Sequence, residues 1–280
     1  MTEDNQPVET NELYAVGLAR AFGGAVIFGI PLMMTMEMWS LGFSIDRLRL
    51  LLFIGVNLLV LIGLSYFAGF EKTFSWREDV MDALAAFGVG VITSAAILAL
   101  FAVIALDMTW TEIIGKVALQ SVPASIGAML GRKQLGAEQD TGAEDERKRE
   151  AGYAGELFPM LAGALFLAFN MAPTEEMILI AFQMTPWHGI ALGVVSIALL
   201  HIFVYVLGFS GQETPPEGGT FMRTFLHFTL AGYGIALLVS LYVLWTFGRT
   251  EDTALAQVAM MTVVLAFPAA LGAATARLVI

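Results

Sequence analysis

The stretch GAVIFGIPLMMTMEM, residues 24–38, decides the fold because it recurs as GALFLAFNMAPTEEM at residues 163–177. A shift of 163 − 24 = 139 superposes Thr35 on Thr174 and Glu37 on Glu176, so each copy is an apolar run closed by Thr-x-Glu-Met. A carboxylate inside a long hydrophobic segment is costly in a bilayer unless it is paired, hydrated or protonated. The recurrence therefore predicts a duplicated membrane protein in which the two acids have a role.

The composition indicates a membrane protein independently of this motif. Of the 280 residues, 58% are hydrophobic and 14% are charged, whereas a soluble domain carries about 25% charged residues. Cysteine is absent, which excludes disulfides and thiolate metal sites. The net charge of −11 does not favour nucleic acid as a partner, since that requires a clustered basic surface.

The apolar runs predict an all-α membrane protein with about eight transmembrane helices. Each must supply about 20 residues to cross the hydrocarbon core. The fourth carries Lys116, Gln120 and Ser121, so lining a cavity is an alternative to facing lipid for this segment. The predicted segments are 14–42, 48–70, 79–106, 112–131, 153–184, 186–209, 221–248 and 253–278.

The two halves of the chain match beyond the opening pair. The segment PASIGAMLGR at 123–132 aligns with PAALGAATAR at 268–277, at a shift of 145. A register that drifts slowly from 139 to 145 is typical of a duplication followed by changes in loop length. We therefore predict a polar tail at 1–13, a four-helix repeat at 14–131, a polar cytoplasmic linker at 132–152 and a second four-helix repeat at 153–280.

An even number of crossings predicts that the two repeats insert in the same direction, as parallel repeats around an axis along the membrane normal. Glu37 and Glu176 would then lie at equal depth and face one another across the centre. With the N-terminus inside, ten basic residues lie on the inner side and four on the outer side. Both termini are therefore predicted to be cytoplasmic, and the two acids are predicted to lie in the outer part of the bilayer.

The residues around the two acids predict a cation site. Pro31 and Pro173 are expected to break their helices and to release carbonyl oxygens from helical bonding. Such oxygens, with a carboxylate and a threonine hydroxyl, suit Ca²⁺, Mg²⁺, Na⁺ or H⁺. The predicted ion-binding or selectivity residues are Glu37, Glu176, Glu175, Thr35, Thr174 and Asn170, with Glu37 and Glu176 as the metal ligands.

Two other chemistries remain open alternatives. Methionines at 33, 34, 36 and 38 offer soft thioethers of the kind that Cu(I) prefers, although methionine is also ordinary filler in apolar helices. His201 and His227 lie at comparable depths on the sixth and seventh segments, where they would serve as haem ligands or as packing residues. With Glu156 and Arg223 they would instead form an inner gate or a proton relay.

Signatures of catalysis are missing from the sequence. It has no HExxH, no GxSxG and no phosphate-binding glycine loop, so we do not expect an enzyme or a resident cofactor. The many glycines are typical of closely packed membrane helices.

The segment FNMAPTEE, residues 169–176, resembles the short Pro-Glu motif in the duplicated helices of cation/Ca²⁺ exchangers, where the acid after the proline binds the ion. The Gly-Thr-Ser that precedes the proline in those proteins is absent, and their repeats are inverted. The resemblance implies only an ion-binding carboxylate.

The eight segments, the central polar linker and the Thr-Glu-Glu-Met element together resemble an uncharacterised family of bacterial integral membrane proteins. That resemblance implies a location in the bacterial inner membrane and no established activity.

These observations favour a cation channel or transporter, with a divalent ion such as Ca²⁺ as the first expectation. The expected partners are the lipid bilayer and inorganic cations, and the number of chains that surround a pore stays open. The alternative from another class is a sensor or scaffold that transports nothing and whose acids bond to neighbouring helices.

Overall fold

The computed structural model describes residues 6–68, 75–105, 107–134, 141–205 and 225–279. These residues are helical, and no strand occurs among them, which confirms the all-α prediction. The helices are α1 Gln6–Met33, α2 Met36–Ser44, α3 Arg47–Ala68, α4 Trp76–Leu100, α5 Trp110–Gln134, α6 Thr141–Met171, α7 Glu175–Gln183, α8 Pro186–Tyr205, α9 Ala231–Thr246, which follows a π-helical turn at Phe225–Leu230, and α10 Leu255–Val279.

Eight of these segments are long and apolar enough to cross a membrane, as the sequence predicts. Along α3 and α4, large apolar side chains such as Leu48, Leu59 and Met81 remain exposed, at 76%, 68% and 69% of their surface. Exposing so much apolar surface to water would be unfavourable, whereas contact with apolar lipid tails is not.

The chain divides into two compact units between Asp145 and Glu146, within the predicted linker. The first unit contains α1–α5 and the second contains α6–α10. Adding 139 to the starts of α2 and α3 gives 36 + 139 = 175 and 47 + 139 = 186, which are the starts of α7 and α8. Adding 145 to both ends of α5 gives 255 and 279, the ends of α10. The two units thus repeat the same element order, while their parallel arrangement stays a prediction.

The first predicted segment, 14–42, is not one continuous helix. α1 ends at Met33, and α2 begins at Met36 after Thr35, whose backbone is extended at φ −96° and ψ 130°. The fifth segment is interrupted as predicted, with Pro173 lying between the end of α6 and the start of α7. Pro31 instead lies inside α1: its fixed φ is compatible with a helix, and α1 ends two residues later at Met33.

Glycines hold the first and last helix of each unit close together. A Cβ on Gly24 of α1 would lie 2.3 Å from the carbonyl oxygen of Gly127 on α5. A Cβ on Gly163 of α6 would lie 2.2 Å from the carbonyl oxygen of Gly272 on α10, the equivalent pair. Only glycine permits backbones to approach this closely.

α5 is the central helix of the first unit. It packs against α1, α2, α3 and α4, and 72% of its membrane-crossing window is buried, the highest share among the eight segments. This polar segment is thus mostly buried among the helices of its unit, and the idea that it lines a cavity stays a prediction. Its equivalent α10 packs against α7, α8 and α9, and meets α6 at the glycine pair.

Candidate functional site

At the first helix break, around Met34 and Thr35, side chains of the protein donate hydrogen bonds to backbone carbonyl oxygens. The Thr35 hydroxyl donates to the carbonyl oxygen of Leu32 at 2.8 Å, and the Gln120 amide of α5 donates to the same oxygen at 3.4 Å. The indole N–H of Trp39 donates to the carbonyl oxygen of Met33 at 2.7 Å. The carbonyl oxygens that we expected to be available to a cation are therefore already hydrogen-bonded.

Glu37 follows this break as the second residue of α2 and is half-buried. Its side chain has no hydrogen bond and no ion pair within the described part of the chain. Glu37 thus lies in the first turn of α2, where the partial positive charge of a helix N-terminus favours a negative side chain.

The second break has the same local construction around Thr174. The Thr174 hydroxyl donates to the carbonyl oxygen of Met171 at 2.8 Å, which reproduces the Thr35 bond residue for residue at the shift of 139. Glu175 and Glu176 are the first two residues of α7 and are exposed. Like Glu37, they make no hydrogen bond or ion pair among the residues described.

A cationic side chain distinguishes the second break from the first. The Arg249 guanidinium, from the loop between α9 and α10, donates to the carbonyl oxygen of Pro173, which is buried. At the first break, the donor from another helix is the neutral amide of Gln120, which bonds to the carbonyl oxygen of Leu32. A positive charge at the second break lowers its attraction for a cation relative to the first.

Oxygen atoms that can act as ligands remain at both breaks. A threonine hydroxyl that donates its proton keeps lone pairs that can face an ion. The Asn170 amide nitrogen donates to the carbonyl oxygen of Phe166 at 2.7 Å, so its amide oxygen is left as an acceptor. Within the described residues, no group of three or more acidic or histidine side chains has the spacing of a metal site. Because Glu37 and Glu176 belong to different units, their pairing stays a prediction.

His201 and His227 lie at the end of the second unit opposite α7. His201 Nδ1 of α8 is 2.8 Å from the Thr229 hydroxyl in the π-helical turn, and the Tyr153 hydroxyl of α6 donates to the His227 carbonyl oxygen. Glu156 is half-buried, one turn along α6 from Tyr153. Arg223 lies outside the described residues. The structure thus brings α6, α8 and the π-helical turn together. The role of the histidines and Glu156 as a gate or relay stays a prediction.

The four methionines around the first break do not share one environment. Met33 and Met38 are buried, whereas Met34 and Met36 are exposed at 61% and 70%. A Cu(I) site would need several thioethers turned toward one point.

The sequence analysis missed a group of buried polar side chains in the first unit. The Ser65 hydroxyl of α3 lies 3.3 Å from carboxylate oxygens of both Asp79 and Asp82 on α4, and Asp79 is buried. The Asn57 amide of α3 donates to the Ser125 hydroxyl of α5 at 3.0 Å. The sequence feature that could have indicated this group is the pair Asp79 and Asp82, three residues apart near the start of an apolar helix.

Lys116, which the sequence analysis did single out, pairs with an acid on its own helix. Its ammonium lies 2.9 Å from a Glu112 carboxylate oxygen and 3.4 Å from the Val103 carbonyl oxygen beyond the end of α4. The Lys116–Glu112 pair lies near the C-terminal end of α4, and the two aspartates lie near its start.

Comparison with known proteins identifies the family. The chain belongs to the family described as "Putative integral membrane protein (DUF2391)", whose model matches residues 17–280. The resemblance to an uncharacterised family of integral membrane proteins is thereby confirmed, and the chain is a multi-pass helical membrane protein. Neither the curated proteins nor the solved structures contain a match.

Proposed function

We propose that this membrane protein moves cations across the bilayer, and that Glu37 and Glu176 are the acids that select or bind them. A divalent ion such as Ca²⁺ is the favoured substrate, because two carboxylates with neutral oxygens around them match its charge and its preference for hard ligands.

The observation that supports this proposal most is the repeated break. Each unit interrupts its first long helix at a threonine and restarts it as a nine-residue helix with an acid in its first turn. A packed scaffold gains nothing from two such breaks, since each removes helical hydrogen bonds. Each break also places an acid just beyond the end of a membrane-crossing span, because these spans end at Met33 and Met171.

The state of the carboxylates supports the same proposal. Within the described residues, the side chains of Glu37 and Glu176 make no hydrogen bond and no ion pair, so a cation would not have to displace a protein donor. Thr35, Thr174 and Asn170 each keep an oxygen with free lone pairs beside the acids. The Arg249 guanidinium at the second break makes Glu37 the stronger of the two candidate ligands.

The proposal is tested by cation flux into vesicles that contain the purified protein. Ca²⁺, Mg²⁺, Na⁺ and K⁺ are compared for the wild-type chain and for the Glu37→Gln, Glu176→Gln double variant. We expect uptake of at least one cation by the wild type and its loss in the double variant, since the neutral amides keep the shape of the acids but not their charge.

A matched control removes the same charge elsewhere. Asp107→Asn with Asp252→Asn also neutralises one exposed acid in each unit, and we expect it to keep most of the flux. Normal flux in the Glu37, Glu176 variant would show that the acids are assigned wrongly. The absence of flux for all four cations in correctly folded wild type would contradict transport and favour a sensor or scaffold.

A further inference from the structure

A groove runs along the surface of the second unit between α9 and α10. On α9 it is lined by four side chains spaced three and four residues apart, which places them on one face of the helix: Leu238, Leu241, Tyr242 and Trp245. The groove has a volume of about 550 Å³, within the range of about 300–1,000 Å³ that ligand sites occupy. It is therefore large enough to hold part of another molecule.

The groove is apolar along the helices and polar at the loop that joins them. Leu255 and Val258 line it from α10, and Thr250 and Thr253 line it from the loop. The Thr253 hydroxyl donates to the Glu251 carbonyl oxygen at 2.9 Å, so the lone pairs of the hydroxyl remain as acceptors. The lining is thus amphipathic, with its polar end at the loop.

The groove extends over the depth of one membrane leaflet. The membrane-crossing span that contains α9 ends at Thr246, and Leu238 lies eight residues before that end, which is about 12 Å along the helix axis. Half of the hydrocarbon core is about 15 Å. Trp245, next to the loop, lies where amphipathic aromatic side chains collect at the membrane surface. The polar end of the groove therefore lies at the headgroups, and the apolar end reaches toward the middle of the bilayer.

The described residues of the second unit leave this groove uncovered. Leu238 and Leu255 are exposed at 70% and 84%. The face of α9 that packs against neighbouring helices is a different one, which carries the buried residues Val239 and Val243. A bilayer lipid, with a polar head and an apolar tail about as long as one leaflet, matches this lining.

The charges at the polar end distinguish between lipid headgroups. Glu251 and Asp252 in the loop have exposed carboxylates. Arg249, the one basic residue in the sequence of this loop, instead donates to the Pro173 carbonyl oxygen. A negative loop attracts a headgroup that carries an ammonium group and repels a lipid with net negative charge.

We propose that the groove between α9 and α10 binds one phospholipid with an ammonium headgroup, of the phosphatidylethanolamine class. One acyl chain lies along Leu238, Leu241 and Val258. The headgroup lies at Thr250 and Thr253, where the threonine oxygens and the negative loop favour its ammonium group. This site does not depend on cation transport by the protein.

The test is the binding of lipid to the purified full chain, measured by native mass spectrometry from detergent micelles. Phosphatidylethanolamine and phosphatidylglycerol with the same acyl chains are titrated at low ionic strength, so that only the headgroup differs. We expect one phosphatidylethanolamine per chain to bind saturably and about tenfold more tightly than phosphatidylglycerol, because like charges repel the anionic headgroup. Glu251→Gln should reduce this preference, since it removes one of the repelling charges.

Variants that fill the groove test where the lipid binds. Leu241→Trp and Val258→Phe each add a ring to the lining, and we expect the affinity for phosphatidylethanolamine to fall at least about tenfold. Ile92→Trp is the control, because it adds similar bulk at an exposed position of α4 in the first unit. The control should keep the wild-type affinity.

Trp245 provides a second readout of the same site. Phosphatidylethanolamine with a brominated acyl chain, added at one lipid per chain, should quench tryptophan fluorescence, because bromine quenches only at short range. Trp245→Phe should remove most of this quenching.

Four results would overturn the proposal. The absence of a saturable first lipid would show that the groove holds none, and equal affinity for phosphatidylglycerol would contradict the headgroup assignment. Wild-type affinity in both Leu241→Trp and Val258→Phe would place the lipid elsewhere. A lipid-free wild-type dimer that Leu241→Trp dissociates would show that a second copy of the chain occupies the groove.

Discussion

The two units share an element order but differ in what their interiors contain. The first unit buries Asn57, Asp79, Lys116 and Gln120 around its central helix. In the second unit, the buried hydroxyls of Ser240, Thr246 and Thr262 each donate to the carbonyl oxygen four residues earlier, which satisfies them within one helix. The difference shows that both units combine close glycine contacts with apolar side chains, and that the first unit adds buried polar side chains on several of its helices.

The largest effect should come from the glycine contacts that the units share. Gly24→Ala and Gly163→Ala would each push a Cβ to within 2.3 Å and 2.2 Å of a facing carbonyl oxygen. Because backbone cannot yield as a side chain can, we expect each to lower the free energy of unfolding by about 3 kcal/mol. Unfolding in mixed micelles measures this. Gly55→Ala, which meets nothing within 4 Å, is the control, and a similar loss in the control would remove the steric explanation.

Gly90 and Gly234 are equivalent positions that should respond differently. A Cβ on Gly90 would lie 2.7 Å from the Ser121 carbonyl oxygen, whereas nothing lies within 4 Å of one on Gly234. We expect Gly90→Ala to destabilise by about 2 kcal/mol. Gly234→Ala should be neutral or should stabilise by up to about 1 kcal/mol, since alanine is the better helix former. Equal losses would mean that the two interiors are packed alike.

The helix breaks differ in the donor that closes them, and this predicts a smaller contrast. Arg249→Met removes a charge-assisted bond to the Pro173 carbonyl oxygen, which is worth about 2 kcal/mol. Gln120→Leu should change the free energy of unfolding by less than about 1 kcal/mol, because the Leu32 carbonyl oxygen keeps its bond from Thr35. The same unfolding assay compares the two, and a larger loss for Gln120→Leu would reverse the ranking of the breaks.

The smallest contrast lies at the ends of α4 and α9. Ala102 follows α4 with φ 56°, whereas its counterpart after α9 is Gly248 with φ 74°. Left-handed backbone costs alanine about 1 kcal/mol more than glycine. Ala102→Gly should therefore raise the free energy of unfolding by about 1 kcal/mol, and Gly248→Ala should lower it by a similar amount. Changes of the same sign in both variants would contradict this account.

The sequence was sufficient for the helical class, the number of membrane segments and the register between the halves. Those features follow from the length of apolar runs and from repeated Thr-x-Glu-Met, which need no knowledge of contacts. The sequence predicted the first break at Pro31, four residues before Thr35, because the apolar run is continuous through Thr35. The break itself is stabilised by the Thr35 hydroxyl, the Trp39 indole and the Gln120 amide.

The polar interior of the first unit could not be predicted for a different reason. In a membrane helix, the faces toward lipid and toward protein are both apolar, so hydrophobic periodicity does not show which way Asn57, Thr93 or Ser94 points. Which of them are buried depends on how the helices pack, as at the close contact between Gly90 and α5. The relation between the two units, and with it the pairing of Glu37 and Glu176, stays a prediction.

Cross-linking between positions 37 and 176 tests that pairing most directly, because the chain has no native cysteine to interfere. Glu37→Cys with Glu176→Cys is treated in membranes with a short bifunctional thiol reagent, and a protease site placed in the linker at 132–152 then separates the halves. We predict that the halves remain joined in the double variant and separate in either single variant. Separated halves in a double variant whose two thiols have both reacted would contradict a shared cation site.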